Sequence, residues 1–79
     1  MDKFFGIYRA VVTDDQDPQQ MRRLRVRVPE LLDHEISSWA NACVPAESSR
    51  QPEVGSGVWL MFERGDPDHP VWIGVMVQQ

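Results

Sequence analysis

The sequence predicts a small all-β domain, a five-stranded antiparallel barrel with no long helix, spanning residues 1–79 as one unit. Three observations lead there. Helix signals are nearly absent, whereas stretches that alternate with a period of two recur along the chain. Those stretches are rich in β-branched and aromatic residues. Clusters of Pro, Gly and Asp separate them, supplying the backbone angles that turns require.

Each element follows from its residues. Phe5 to Thr13 (Phe-Gly-Ile-Tyr-Arg-Ala-Val-Val-Thr) reads as the first strand, and Asp14 to Gln20, containing Asp17-Pro18, breaks it. Arg23-Leu24-Arg25-Val26-Arg27-Val28 is the cleanest alternation: Leu24, Val26 and Val28 share one face, Arg23, Arg25 and Arg27 the other. Pro29 has no amide hydrogen and stops the pairing. The segment 30–36 reads as one helical turn or a loop. Trp39 to Val44 is a short third strand ended by Pro45, and residues 46–56 form a polar loop punctuated by Pro52 and Gly55. Val58 to Glu63 is the fourth strand, with Val58, Leu60 and Phe62 on one side. Gly65, Asp66, Pro67 and Pro70 shape the last hairpin, and Val71 to Val77 completes the set.

Five strands in a partly open barrel describe the oligonucleotide/oligosaccharide-binding (OB) fold. Closure matters, because an open sheet this short exposes both edges to aggregation. Many such folds carry a helix between the third and fourth strands; Pro45, Pro52 and Gly55 predict a loop there instead. A chain of 79 residues buries about 60% of its unfolded surface, a marginal core. A single cysteine, Cys43, supplies no internal disulfide, so self-association is an expected source of added stability.

Composition narrows the function. No apolar run approaches the roughly 20 residues that span a bilayer. The start, Met1 to Gly6, lacks the pattern of a signal peptide, so synthesis in the cytoplasm is expected. With 8 Lys+Arg against 12 Asp+Glu, the net charge is −4. That balance gives no long-range attraction to nucleic acid or anionic lipid. The arginine face of the second strand is the one feature pointing the other way. Yet the loops flanking an OB ligand site carry Asp14, Asp15, Asp17, Asp66 and Asp68, which oppose phosphate.

Other candidate chemistry is weak. Cys43 has no histidine linked to it in sequence and reads as a packing group. Neither Asp14-Asp15-Gln16-Asp17 nor Asp66-Pro67-Asp68-His69 has the spacing of a calcium or zinc site. No catalytic residue, metal or cofactor is assigned. Trp39, Trp59 and Trp72 are a large aromatic content for this length. Trp59 is out of phase with Val58, Leu60 and Phe62, and Trp72 with Val71, Ile73 and Val75, so both are expected to face outward. Outward aromatics on adjacent strands predict a subunit boundary formed by Trp59, Met61 and Trp72, with Arg23, Arg25 and Arg27 as polar contacts. A register slip of one residue would invert these faces.

The order of motifs resembles one family. Phe5-Gly6-Ile7-Tyr8-Arg9-Ala10-Val11-Val12, Asp17-Pro18, Arg23 to Pro29, Trp39-Ala40 and Pro52-Glu53-Val54-Gly55 are followed by Val58 to Glu63 and Gly65 to Gly74. Together they are similar to the OB domain of phage tail-spike and baseplate hub proteins (baseplate assembly protein V, the cell-puncturing spike), shared with the VgrG spikes of type VI secretion. Departures are Arg22 where a turn glycine is usual, Asn41 for proline, Ser56 for an acidic residue, and a polar 46–51 loop. The resemblance implies a virion structural protein of a contractile injection system. It would be a non-catalytic homotrimer, an OB collar or adaptor joining the baseplate hub protein to the tail spike or β-helix protein. It would reside in the virion tail or baseplate after synthesis in the host bacterial cytoplasm, with no nucleic acid and no stable membrane insertion. No lysozyme, hub or β-helix domain is present, so the chain is either a free-standing adaptor or a fragment. The competing reading is an oligonucleotide- or sugar-binding OB module.

Overall fold

A computed structural model describes residues 3–31, 34–35, 38–45 and 51–77. The strands are β1 (Tyr8–Asp14), β2 (Arg25–Val28), β3 (His34–Glu35), β4 (Asn41–Ala42), β5 (Gly57–Phe62) and β6 (Pro70–Val75). They form one sheet in the order β3-β2-β1-β5-β6-β4. The outermost strands β3 and β4 are successive pieces of a single stretch of chain, so the sheet curls round and the fold counts as five strands. Reciprocal hydrogen bonds between Leu24 and Ala40, N to O at 3.1 and 2.7 Å, join the two ends of the curl. Every pairing is antiparallel except β4 with β6, which is parallel. The expected purely antiparallel barrel is therefore a mixed one. The returning segment reaches β6 without a hairpin reversal, which only adjacent antiparallel strands require.

Short 3-10 turns stand at Pro29–Leu31 and Glu63–Gly65, and no longer helix occurs among the described residues. Of the polar loop expected over residues 46–56, residues 46–50 lie outside the described ones, and 51–56 contain no helix.

The core is built by alternation. Leu24, Val26 and Val28 are fully buried, as are Val58 and Leu60 opposite them, with Ala10, Val12, Ala40 and Phe62 completing the cluster. Phe4 caps one end: its ring lies 5.8 Å from Phe62 and 6.4 Å from Tyr8, and its N–H donates to Gly65 O at 2.8 Å.

Trp72 departs from expectation. It is 1% exposed and belongs to the core, so it cannot serve as a subunit contact. The reason is the β5–β6 register: Phe62 pairs with Pro70 and Leu60 with Trp72, so the buried face of β5 is continued by Pro70 and Trp72. Val71 and Ile73 are half-buried and Val75 is exposed. A bulge follows Trp72: Trp59 pairs with Gly74, leaving Ile73 as the extra residue on β6. A bulge changes which side chains share a face, and here it brings Gly74 to the side of Trp59. The indole N–H donates to Arg22 O at 2.9 Å, satisfying the polar end of a buried ring.

Two variants check this partition. Trp72→Phe removes both ring volume and the bond to Arg22, and is expected to lower unfolding stability by about 1–3 kcal/mol in urea titrations. Gly65→Ala places a side chain at φ 75° with its Cβ 2.8 Å from the Phe5 ring. The backbone conformation alone costs about 1–2 kcal/mol, so a lowered denaturation midpoint is expected there too.

Candidate functional site

Two surfaces carry the polar and aromatic side chains of interest: the β1–β2 loop and the outer face of the sheet. Asp17 organises the loop. Its carboxylate accepts the Arg23 guanidinium as a fork, Nε to Oδ2 at 2.9 Å and Nη2 to Oδ1 at 2.8 Å. It also accepts backbone N–H groups of Gln19 (2.9 Å), Met21 (3.0 Å) and Arg23 (3.2 Å). Five donors converge on a side chain that is 2% exposed. Asp17 O adds a bond from Gln20 N–H at 3.0 Å. The net also holds two residues in left-handed backbone, Gln20 (φ 54°) and Arg22 (φ 61°). At Arg22 the resemblance leads one to expect glycine, the residue for which that conformation is unstrained.

The Arg23 fork holds the Asp17 carboxyl well below the usual carboxylate range; burial opposes this, and the three N–H bonds reinforce it. Reciprocally, the bond to Asp17 raises the Arg23 pKa further, so the pair stays charged. Beside the pair is an open cleft of about 250 Å³ lined by Asp15, Gln16, Asp17, Gln20, Arg22 and Gln51. Gln51 reaches across to donate to Asp15 O at 2.6 Å. The cleft walls combine carboxylates and amides with the one arginine, Arg22. No group of three metal-ligating side chains occurs among the described residues.

The β2 arginines take places the alternation alone does not show. Arg23, expected as a polar contact to a neighbour, spends its fork on Asp17 within the chain. Its guanidinium also lies 5.6 Å from the Trp39 ring centre, and that of Arg25 lies 4.8 Å away. Trp39 is thus covered by two cations and half-buried. Arg25 Nε is buried without a hydrogen-bond partner among the described residues. Arg27 is half-buried, paired in register with Val11 on β1.

Trp59 lies on the outer face, half-buried, paired with Arg9 on one side and Gly74 on the other. Met61 is 42% exposed and pairs with half-buried Val71. The turn residues sit in the β5–β6 connection. Asp66 Oδ1 accepts Asp68 N–H and Asp66 O accepts His69 N–H, both at 2.9 Å. Gly65 takes φ 75°, Pro67 follows Asp66, and Pro70 is fully buried against its partner Phe62.

The sequence reading missed Asp17 as an anchor and Arg9 and Trp39 as stacking partners. An Asp-Pro step followed six residues later by arginine is the only trace of the fork. Trp39 carried no signal of its own.

A curled mixed sheet of this order, with short turns and a filled interior, defines a small OB-fold domain. The family model described as the type VI secretion system/phage-baseplate injector OB domain matches residues 8–76, and the chain belongs to that family. It is accordingly a structural component of a phage baseplate or a related injection machine. No curated protein matches the sequence.

The fork makes stability depend on acid in one direction. The folded-state pKa of Asp17 lies below the unfolded value of about 3.9. The contribution is therefore complete above that value and is lost as pH falls toward the folded pKa. Asp17→Asn is expected to lower the urea midpoint by a constant amount from pH 8 to about 5, with the gap to the parent chain narrowing below about pH 4.

Proposed function

We propose that this chain is a non-catalytic adaptor, three copies of which form a collar between a baseplate hub and a spike in a contractile injection system. Family membership supports the setting. The observation that supports self-association is the outer face. Met61 and Ile7 are 42% and 54% exposed, and Trp59 is half-buried, while the core is complete without any of them. Apolar groups that the monomer does not use are the usual material of subunit interfaces.

The proposed contact set is Trp59 and Met61, with Arg25 and Arg27 at its polar margin. Trp72 and Arg23 leave it, being committed to the core and to Asp17. The mechanism is geometric. A barrel stiffened by strand hydrogen bonds, repeated around an axis, keeps a spike coaxial with its hub. Hub and spike chains are the partners, and the assembled tail is the site of action. No chemical step or cofactor belongs to this role.

Light scattering on the purified chain tests the reading: a mass three times that of the monomer is expected, and a monomer at high concentration, alone and with its hub, overturns it. Met61→Lys and Trp59→Lys are expected to shift the mass toward monomer while leaving the folded far-ultraviolet spectrum intact. Titration with single-stranded DNA is expected to show no salt-sensitive binding; a steep loss of affinity with salt would support the oligonucleotide-binding alternative.

A further inference from the structure

The outer face contains a socket. Register places Arg9, Trp59 and Gly74 in one row across β1, β5 and β6. The Arg9 guanidinium lies 5.6 Å from the Trp59 ring centre. Glu30 Oε1 accepts the backbone N–H of Arg9 at 3.1 Å, and among the described residues no ion pair engages the guanidinium. At the other end of the row is open space: a Cβ built on Gly74 meets nothing within 4 Å. The row thus presents a stacked cation, an indole and a shallow gap, side by side.

A matching knob stands elsewhere on the same chain. The turn at residues 53–56 is held by Ser56 N–H to Glu53 O at 3.0 Å and tethered by Gly55 N–H to Val12 O at 2.8 Å. Pro52, just before it, is buried. The tip therefore projects Glu53 and Val54 from a fixed base. Glu53 is exposed with no partner for its carboxylate among the described residues, and Val54 is 58% exposed. An acid beside an aliphatic side chain complements a cation beside an apolar gap.

We propose that the Glu53–Val54 turn of one copy seats on the Arg9–Trp59–Gly74 row of the next. Glu53 would meet the Arg9 guanidinium, and Val54 would fill the space over Gly74 against the Trp59 ring. The inference rests on the proposed collar and adds which surfaces meet within it. Knob and socket are different surfaces, so the contact is head-to-tail, the kind that closes into a ring when its rotation permits. A second copy is the occupant because the chain carries both halves: an acidic protein of net charge −4 offers an arginine on its sheet and a carboxylate on a rigid turn, neither side chain in an ion pair among the described residues. The Arg9–Trp59 stack is formed before contact, so little side-chain freedom remains to be lost on association. The apolar insertion supplies affinity and the ion pair supplies orientation.

Charge reversal tests the pairing by dilution light scattering. Arg9→Glu and Glu53→Arg are each expected to raise the concentration of half-dissociation at least about tenfold. The double reversal is expected to return it to within about threefold of the parent chain, the signature of direct coupling. Val54→Asp is expected to weaken the assembly without recovery by either reversal. All three substitutions lie outside the core, and near-ultraviolet circular dichroism checks that each variant is folded. A trimer indifferent to all of them overturns the seating and leaves the collar standing. Weakened single variants with no recovery in the double overturn the pairing. A parent chain that stays monomeric at millimolar concentration, alone and with its hub, overturns collar and seating together.

Discussion

The fork between Asp17 and Arg23 holds together parts of the molecule that no strand ladder connects. It fixes the β1–β2 loop, and through three backbone N–H bonds it sets the path of residues 19–23. That path presents Arg22 O to the Trp72 indole, so a largely buried ion pair helps determine how the largest core side chain is satisfied. It also leads into Leu24, whose bonds to Ala40 join the ends of the sheet. From the same segment Arg23 and Arg25 cover Trp39, the residue before Ala40. Loop, core and closure therefore share one electrostatic anchor. The pair lies at the edge of the core rather than within it, where its desolvation is offset by five donors.

The second constraint is the bulge at Ile73. Without it, Ile73 would stand opposite Trp59. Trp72 faces in beside Leu60 by the regular register, and the extra residue brings Gly74 out beside Trp59. One local irregularity thus opens the gap on the outer face. Bulges are common where a sheet must bend and re-aim a side chain, and this curled sheet does both.

Much of the fold was legible because its strands carry their own periodicity. Leu24, Val26 and Val28 are all inside, and Val58, Leu60 and Phe62 form the opposite wall, as alternation required. Pro29 ends β2, and the Gly-Asp-Pro connection turns the last hairpin. What alternation could not show was which phase of β6 faces the core, because Val71, Ile73 and Val75 make as good an apolar set on paper as Pro70 and Trp72. The choice is made by volume: the barrel accommodates an indole whose N–H has a carbonyl to meet, a tertiary fact. The parallel pairing of β4 with β6 was hidden for a similar reason, since residues 41 and 42 are too few to show any pattern. The arginine face was visible, but not its division of labour. Arg23 looks like Arg27 until the loop delivers Asp17 to it.

The remaining physical question is why so small a barrel leaves apolar groups outside. β3 and β4 have two residues each, and a single bridge joins the ends of the curl. No disulfide reinforces that seam, Cys43 being free and exposed. Short edges discourage indiscriminate strand addition, but they add little resistance to opening. In the proposed collar each barrel would gain stiffness from neighbours packed on the outer wall of β1, β5 and β6, the part of the sheet with the longest continuous pairing. Load would then pass through the best-bonded strands, and the weak seam would be spared. The division of the surface fits that arrangement: apolar groups and stacked arginine stand on the long strands, while the carboxylates of Asp14, Asp15, Asp66 and Asp68 lie at the strand end and in the connecting turns. Such a distribution favours lateral packing of copies over burial of their acidic ends, because carboxylates resist desolvation far more than a half-covered tryptophan does.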